Sequence, residues 1–316
     1  MSTDIAALQR YSLNGATMGT RYSAVFFAAP GLDEPAIAAS LFAAVDRVDR
    51  QMSTWKADSD LSRLNAMPEQ QWLDIPKELL SVLATALRIG RQSNGAFDIG
   101  VGDLVNAWGF GPARQAPTDL PAPRRRRQSV AELLEIDQLH RRVRKRAAVT
   151  LDLSGIAKGF GVDQLASCLE GWRISRYLVG IDGEMRACGL KADGQPWAIA
   201  VEKPVRGVRE VMGVMALSDV AIATSGDYRH WVEIADQHYA HSMHPALGAP
   251  VCNKLAAVTV LASSCMLADA WATALLVLGE VAGPELARAR GMDALFVVRA
   301  GEGFRQLSIV AGQLQT

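Results

Sequence analysis

The sequence predicts a chain that mixes helices with largely antiparallel strands, and three observations predict it. Residues 33–52 and 76–92 carry apolar side chains at helical spacing. From residue 177 to residue 245, short alternating runs are separated by polar turns, the pattern of antiparallel pairing. Twice, at 151–172 and at 255–279, a strand-like run passes through small polar residues into a helix start.

The elements follow in chain order. Residues 11–28 place a turn at Asn14-Gly15 and a strand after Gly19, and the Gly beside Met18 lets a ligand approach the backbone. The helix over 33–52 is capped by Asp33, has Pro35 in its first turn, and buries Ile37, Leu41, Val45, Val48 and Met52. The polar stretch 52–65 holds Trp55, which either anchors that loop or covers a planar ligand. The helix over 76–92 stops at Ser93-Asn94-Gly95. Residues 95–112 read as a glycine-rich loop system in which Phe97 and Asp98 offer a ring and an acceptor. Residues 112–129 read as a Pro- and Arg-rich surface loop. No aromatic residue interleaves with Arg124 to Arg127, so a solvated loop is expected rather than a nucleic-acid patch. Residues 136–153 read as a hairpin turning at Arg144 to Arg146.

Two stretches carry chemistry. At 151–172 a strand end, a tight Ser154-Gly155 turn and a helix beginning near Ile156 make an anion site from free backbone N–H groups. Lys158 sits in that helix's first turn, where a cation is unfavourable unless an anion is present. The stretch is neither a dinucleotide fingerprint nor a Walker A loop. At 255–279, Asp269 and Thr273 lie four residues apart in a helix begun by Ser263 and Ser264. A carboxylate and a hydroxyl one turn apart fit either a cap with a back-bonded Thr or oxygen ligands for a hard cation such as magnesium. Further on, Thr224 to Arg229 reads as a polar loop between strands. His238, His241 and His244 recur every third residue, which holds no single strand face, and Pro245 excludes a helix, so a zinc site there is disfavoured.

Composition narrows the classes. The 316-residue chain has 33 Lys and Arg against 33 Asp and Glu, so net charge predicts no acidic partner. The opening MSTDIAALQR shows no basic segment followed by an apolar one, and no apolar run reads as long and charge-free enough to cross a bilayer. Cys168, Cys188, Cys252 and Cys265 are scattered without a CxxC. A cytoplasmic protein with no membrane partner is expected.

Several of these pieces, in order over nearly the whole chain, resemble the ApbE-like FAD:protein FMN transferases. They are MGT from Met18, MSTW from Met52 with DSDLSRLN from Asp58, and GAFDIGVGDLVNAWGFGP from Gly95. They continue with LDLSGIAKGFGVD from Leu151, IDGE from Ile181, ATSGDYR from Ala223, YAHSMHP from Tyr239 and CMLADAWAT from Cys265. The resemblance implies one α+β domain over 1–316, with mixed, largely antiparallel sheets flanked by helices and a flavin cleft. It implies transfer of FMN from FAD, through a phosphodiester bond, to a Thr or Ser hydroxyl of a target flavoprotein, with AMP released. Mg2+ would be held by Asp269, Thr273 and the backbone carbonyl of Gly155. Met18, Trp55, Ala96, Phe97, Asp98, Asp152, Lys158, Met243 and Ala272 stand at matching FAD positions, and His241 matches a His that assists the acceptor hydroxyl.

The chemistry agrees. Phosphoryl-type transfer needs positioning and charge neutralisation more than covalent catalysis. The chain departs from the family where His244-Pro245 replaces the usual Asp-Pro, and in lacking an export signal, so the acceptor is expected in the cytoplasm. The same residues would also serve a Mg2+-dependent FAD pyrophosphatase giving FMN and AMP, or a non-catalytic FAD-binding protein.

Overall fold

The computed structural model describes residues 8–112, 128–229, 231–234 and 237–315. In chain order, β1 (Gln9–Thr17) and β2 (Thr20–Ala28) lead to α1 (Glu34–Met52), α2 (Asp60–Ala66), β3 (Leu73–Asp74) and α3 (Lys77–Gln92). A 3-10 turn (Ile99–Val101) runs into α4 (Gly102–Ala107). Then come α5 (Val130–Leu133), β4 (Leu134–Asp137), β5 (Arg142–Lys145) and α6 (Ala157–Gly171). Next are β6 (Tyr177–Ile181), β7 (Glu184–Cys188), β8 (Trp197–Glu202), β9 (Val211–Leu217) and β10 (Ala221–Gly226). Four short strands in two hairpins follow: β11 (Trp231–Ile234) with β12 (Gln237–Ala240), and β13 (Met243–His244) with β14 (Ala249–Pro250). The chain closes with β15 (Leu255–Ala262), α7 (Cys265–Ala289), β16 (Asp293–Ala300), β17 (Gly303–Val310) and β18 (Gln313–Gln315).

Nine strands form one antiparallel sheet in the order β1-β2-β6-β7-β10-β15-β16-β17-β18. Successive strand residues point to opposite faces, so each face has its own core. On one face, α1 and α6 pack Ile37, Leu41, Val45, Val162 and Leu165 against Phe26, Tyr177 and Val179. Beside them, Ala272, Leu275 and Leu276 of α7 pack under Val258, Val260 and Phe296. Each large apolar side chain fully buried this way contributes roughly 1.5–3 kcal/mol. On the other face lies the β8–β9 hairpin, where Trp197, Ile199 and Leu217 cover Ala187 and Ile222.

The helices at 33–52 and 76–92 form as expected. Asp33 accepts the Ala36 N–H at 3.0 Å, and the predicted stripe of α1 is buried. Antiparallel pairing holds for every strand pair among the described residues.

Five local expectations are corrected. Asn14-Gly15 lies inside β1, and the turn is Met18-Gly19, with φ of 46° and 72°. Gly15 is needed for packing instead, because a Cβ there would meet the ring of its cross-strand partner Tyr22 at 2.6 Å. The second hairpin turns at residues 138–141, not 144–146, because Asp137 accepts the His140 N–H at 3.1 Å and Arg141 takes φ 51°. Residues 148–153 pair with no strand. Leu151 exchanges hydrogen bonds with the Asn65 side chain at 2.8 and 2.9 Å, and Asp152 N–H reaches Ile99 O at 2.8 Å. The stretch 95–112 contains the 3-10 turn and α4 rather than loop alone, because Asp98 Oδ1 accepts the Gly100 N–H at 2.7 Å. Thr224 to Gly226 belong to β10.

The surface-loop expectation for 112–129, with Arg124 to Arg127, falls almost entirely outside the described residues. One further expectation changes. By length and composition, α7 is apolar enough to cross a bilayer, which the sequence reading allowed no segment to be. In this fold most of it is buried under the sheet, and the helix breaks at Gly279, with φ 82°.

Candidate active site

The site is built where α6 crosses the start of α7. A Cβ on Gly159 would lie 2.3 Å from Cys265 O and 2.8 Å from Asp269 Cβ, so only glycine permits this approach. The approach gives the first turn of α6, which has no side-chain cap of its own, a partner from α7: Gly159 N–H donates to Asp269 Oδ2 at 3.0 Å. In return, Asp163 of α6 accepts the Cys265 N–H at 3.0 Å and the Met266 N–H at 2.9 Å at the start of α7. Arg186 holds the Asp163 carboxylate from the side at 3.0 Å. Asp269 is thus a cap, as one reading of the sequence allowed, but for a neighbouring helix.

Around Asp269 gather more carboxylates than cations. Lys158 Nζ lies 2.7 Å from Glu184 Oε1 and 3.8 Å from Asp182 Oδ2. Burial works against the Lys158 charge, but Glu184, Asp269 and Asp182 outweigh it and hold the ammonium above the ordinary lysine range. Burial first, then Glu184, pushes Asp269 up to about 7, against the pull of Lys158 and the Gly159 N–H. Burial also raises Glu184, whose Oε2 has no hydrogen-bond partner among the described residues. Asp182, in the left-handed region at φ 54°, turns β6 into β7 and places Glu184 below it. Arg229 binds Asp182 at 3.0 Å and Glu202 beyond it, tying this turn to the β8–β9 hairpin.

Thr273 lies one turn along α7, with its Oγ1 3.0 Å from Ser225 Oγ. A Cβ on Gly155 would come within 3.0 Å of the same Oγ1, so the turn before α6 lies directly on Thr273. Asp152 shapes that turn by accepting the Ser154 N–H at 2.8 Å, and burial raises its pKa. A buried carboxylate, a hydroxyl and a nearby turn carbonyl form an all-oxygen donor set, and three carboxylates share one lysine. That set fits a hard divalent cation, which keeps further positions for water or phosphate oxygen.

The site opens into a cleft of about 1600 Å³. Met18, Trp55, Ala96, Phe97, Asp98, Asp152, Gly155, Lys158, His241, Met243, Asp269 and Thr273 all line it. Ala272 does not; it is fully buried in the helix-side core. Trp55 is 55% exposed at the cleft, so it is not an anchor of its loop in the core. Asp98 uses its carboxylate on the Gly100 and Val130 N–H groups, at 2.7 and 3.1 Å. His241 lies edge-on to Phe110, 6.3 Å between ring centres.

The three histidines part company. His238 packs on Trp231 at 4.5 Å, and His244 Nδ1 accepts the Leu247 N–H at 3.4 Å. No group of three His, Cys, Asp or Glu side chains is placed to hold a metal among the described residues. His244 Nδ1 thus helps to order its own hairpin, and burial lowers its pKa, which favours the neutral ring that can accept.

Sequence reasoning did not assign roles to Asp163, Asp182, Glu184, Ser225 or Arg229. The signal was present for all five: Asp163 ends LDLSGIAKGFGVD, Asp182 and Glu184 share IDGE, and Ser225 and Arg229 share ATSGDYR.

Comparison with known proteins agrees with this geometry. The model of the ApbE family matches residues 18–296. An FAD:protein FMN transferase of Vibrio cholerae is 39% identical, covering 94% of this chain and 90% of its own length. One from Haemophilus influenzae is 38% identical, covering 96% and 92%. The crystal structure of the Pseudomonas stutzeri flavinyl transferase ApbE, in its apo form, superposes with a TM-score of 0.86 at 34% identity, over 98% of this chain and 97% of that one. Matched along nearly its whole length in sequence and in fold, the chain belongs to the ApbE family.

Proposed function

We propose that this protein is an FAD:protein FMN transferase that moves FMN from FAD to a Thr or Ser hydroxyl of a target flavoprotein and releases AMP. The observation that carries the reading is the convergence of Asp269, Thr273, Gly155, Lys158 and His241 on one cleft, together with the name its relatives bear. Mg2+ would be held by Asp269, Thr273 and the Gly155 carbonyl, and when bound it would neutralise charge on the pyrophosphate.

The chain's own residues supply the rest. Lys158, pinned by Glu184 and Asp182, keeps a fixed positive charge at the start of α6. Asp152 takes the Ser154 N–H, so the start of α6 after the Ser154-Gly155 turn would offer its fixed dipole to anionic oxygen, with no reorganisation needed during reaction. Trp55 supplies exposed aromatic surface for the flavin ring system, while Phe97 is buried in the cleft wall. The acceptor hydroxyl oxygen forms a new bond to the phosphorus of the FMN phosphate. The bridging P–O bond of the pyrophosphate breaks, and AMP leaves with that electron pair. His241 takes the hydroxyl proton, a task suited to a side chain whose ordinary pKa is ~6.5. Four free cysteines support the reading of a reducing, cytoplasmic setting for the acceptor.

The test is an incubation with FAD, Mg2+ and a flavoprotein domain carrying a Thr acceptor. It is read by in-gel flavin fluorescence, intact mass and AMP release. A flavin-sized mass gain on the acceptor with stoichiometric AMP is expected. AMP and free FMN without labelling would assign the site to FAD hydrolysis instead.

A further inference from the structure

The cations lining the cleft fall into two sets. Lys56 is held by Asp49 at 2.7 Å, Lys158 by Glu184 at 2.7 Å, and Arg229 by Asp182 at 3.0 Å. Arg206 and Arg209 line the same cleft, are exposed, and form no ion pair among the described residues. Arg209 reaches Glu202 only through its field.

Both arginines sit on the tip of the β8–β9 hairpin, and that tip is preformed. Lys203 Nζ and Glu210 Oε2 close its base at 3.0 Å, Lys203 N–H donates to Glu210 O at 2.8 Å, and Gly207 turns the apex with φ 69°. Arg206 lies over the Trp231 ring at 5.7 Å. The side chains that could neutralise this tip are therefore committed to its base, and two guanidinium groups are left facing the cleft.

The lining residues also divide by origin. Most of those proposed to hold FAD and metal come from the helical side: α1's C-terminal loop, the 95–98 turn, the turn before α6, α6 and α7; Met18 comes from the β1–β2 turn and Met243 from β13. Arg206, Val208, Arg209, Trp231 and His241 come from the small hairpins and their connections. At about 1600 Å³ the cleft exceeds the ~300–1,000 Å³ of a small-molecule pocket, leaving room for a second occupant.

We propose that Arg206 and Arg209 dock an acidic segment of the acceptor protein, presenting its hydroxyl to His241, with Trp231 as the apolar floor. The proposal rests on the transferase reading and names what that acceptor must carry: carboxylates close to its reacting Thr or Ser.

The test compares the wild type with R206E/R209E, two exposed changes on a surface turn. The probe is a flavoprotein domain with Asp or Glu flanking its acceptor Thr, together with the same domain carrying Asn and Gln there. Rates of labelling are measured at low and high salt, and FAD affinity by flavin fluorescence. For the wild type, kcat/KM for the acidic acceptor falls as salt rises. The variant loses about tenfold or more at low salt, while FAD affinity is unchanged. Neutralising the acceptor costs the wild type a similar factor and the variant little. Equal labelling by variant and wild type overturns the proposal, and so does FAD affinity that falls in step with labelling. A wild type that labels neither acceptor overturns the transferase reading, and this proposal with it.

Discussion

Asp163 and Asp269 each cap the helix that carries the other. The Asp163 carboxylate takes the Cys265 and Met266 N–H groups that open α7, at 3.0 and 2.9 Å, and Asp269 takes the Gly159 N–H in the first turn of α6 at 3.0 Å. The exchange fixes the two helix starts relative to one another. It therefore fixes Asp269 and Thr273 relative to Gly155 and Lys158. Asp163 is a positioning residue, acting on the site through α7.

Replacing Asp163 with Ala leaves two backbone donors and the Arg186 guanidinium without their buried partner. A lost cap costs about 0.5–2 kcal/mol, and an unsatisfied buried donor roughly 1–3 kcal/mol. Stability in urea should therefore fall by about 2 kcal/mol or more. Asp163→Asn keeps an acceptor and should lose less. A structural role alone would stop there. The positioning role requires that Asp163→Asn, still folded, also weakens the thermal shift produced by Mg2+.

Gly159→Ala tests the other half of the crossing. Its Cβ would sit 2.3 Å from the Cys265 carbonyl oxygen, which is backbone and cannot rotate away. Overpacking of this kind costs about 1–3 kcal/mol. The expected outcome is a lower Tm together with weaker FAD binding, since the helices must separate at the site. A variant with wild-type Tm and wild-type FAD affinity would show that the crossing has slack the distances deny.

Much of this was legible locally, and the failures have one cause. The stripes of α1 and α3, the Asp33 cap and the Ser154-Gly155 turn depend on neighbours within a few residues, and each stands where the sequence placed it. Asn14-Gly15 reads as a turn until Tyr22 is seen lying over Gly15 from the next strand. Residues 148–153 read as a strand until Asn65, more than eighty residues earlier, takes their hydrogen bonds. The crossed caps join residues more than a hundred positions apart, a separation at which no spacing rule operates. The motif resemblance found the cleft nearly whole because it carries long-range information that periodicity lacks. It also marked Ala272, which packs inward rather than lining the cleft.

His244 should make the hairpin after β13 pH-dependent. Its Nδ1 accepts the Leu247 N–H, so only the neutral ring can hold the turn. Burial lowers its pKa from the ordinary 6.5. A group whose folded pKa is depressed adds stability that is present above its unfolded pKa and lost as pH falls through the folded value. The hairpin should therefore be tightest above pH 6.5 and loosen below it. His244→Asp supplies an acceptor that stays ionised there. Amide exchange at Leu247 should accelerate on acidification in the wild type and not in the variant. The same acceleration in both would remove His244 as its source.

Asp269→Asn separates stability from function. The wild-type site confines Asp182, Glu184 and Asp269 around a single lysine, and burial with Glu184 pushes Asp269 up to about 7. The amide oxygen still accepts the Gly159 N–H, so the cap survives while the like-charge repulsion is relieved. Removing one charge from a buried cluster with too few cations is stabilising or neutral when the hydrogen bond is kept. In the absence of metal, the variant should thus melt at or above the wild-type Tm. In Mg2+ the order reverses. The wild type gains stability by mass action, because the cation binds only the folded site, and the variant gains little. Labelling and AMP release should be lost in the variant, and in the wild type when a chelator removes Mg2+. A variant that still shifts its Tm with Mg2+ would take the cation away from Asp269. A metal-free variant far less stable than the wild type would mean that the carboxylate charge, rather than its hydrogen bond, secures the two helices.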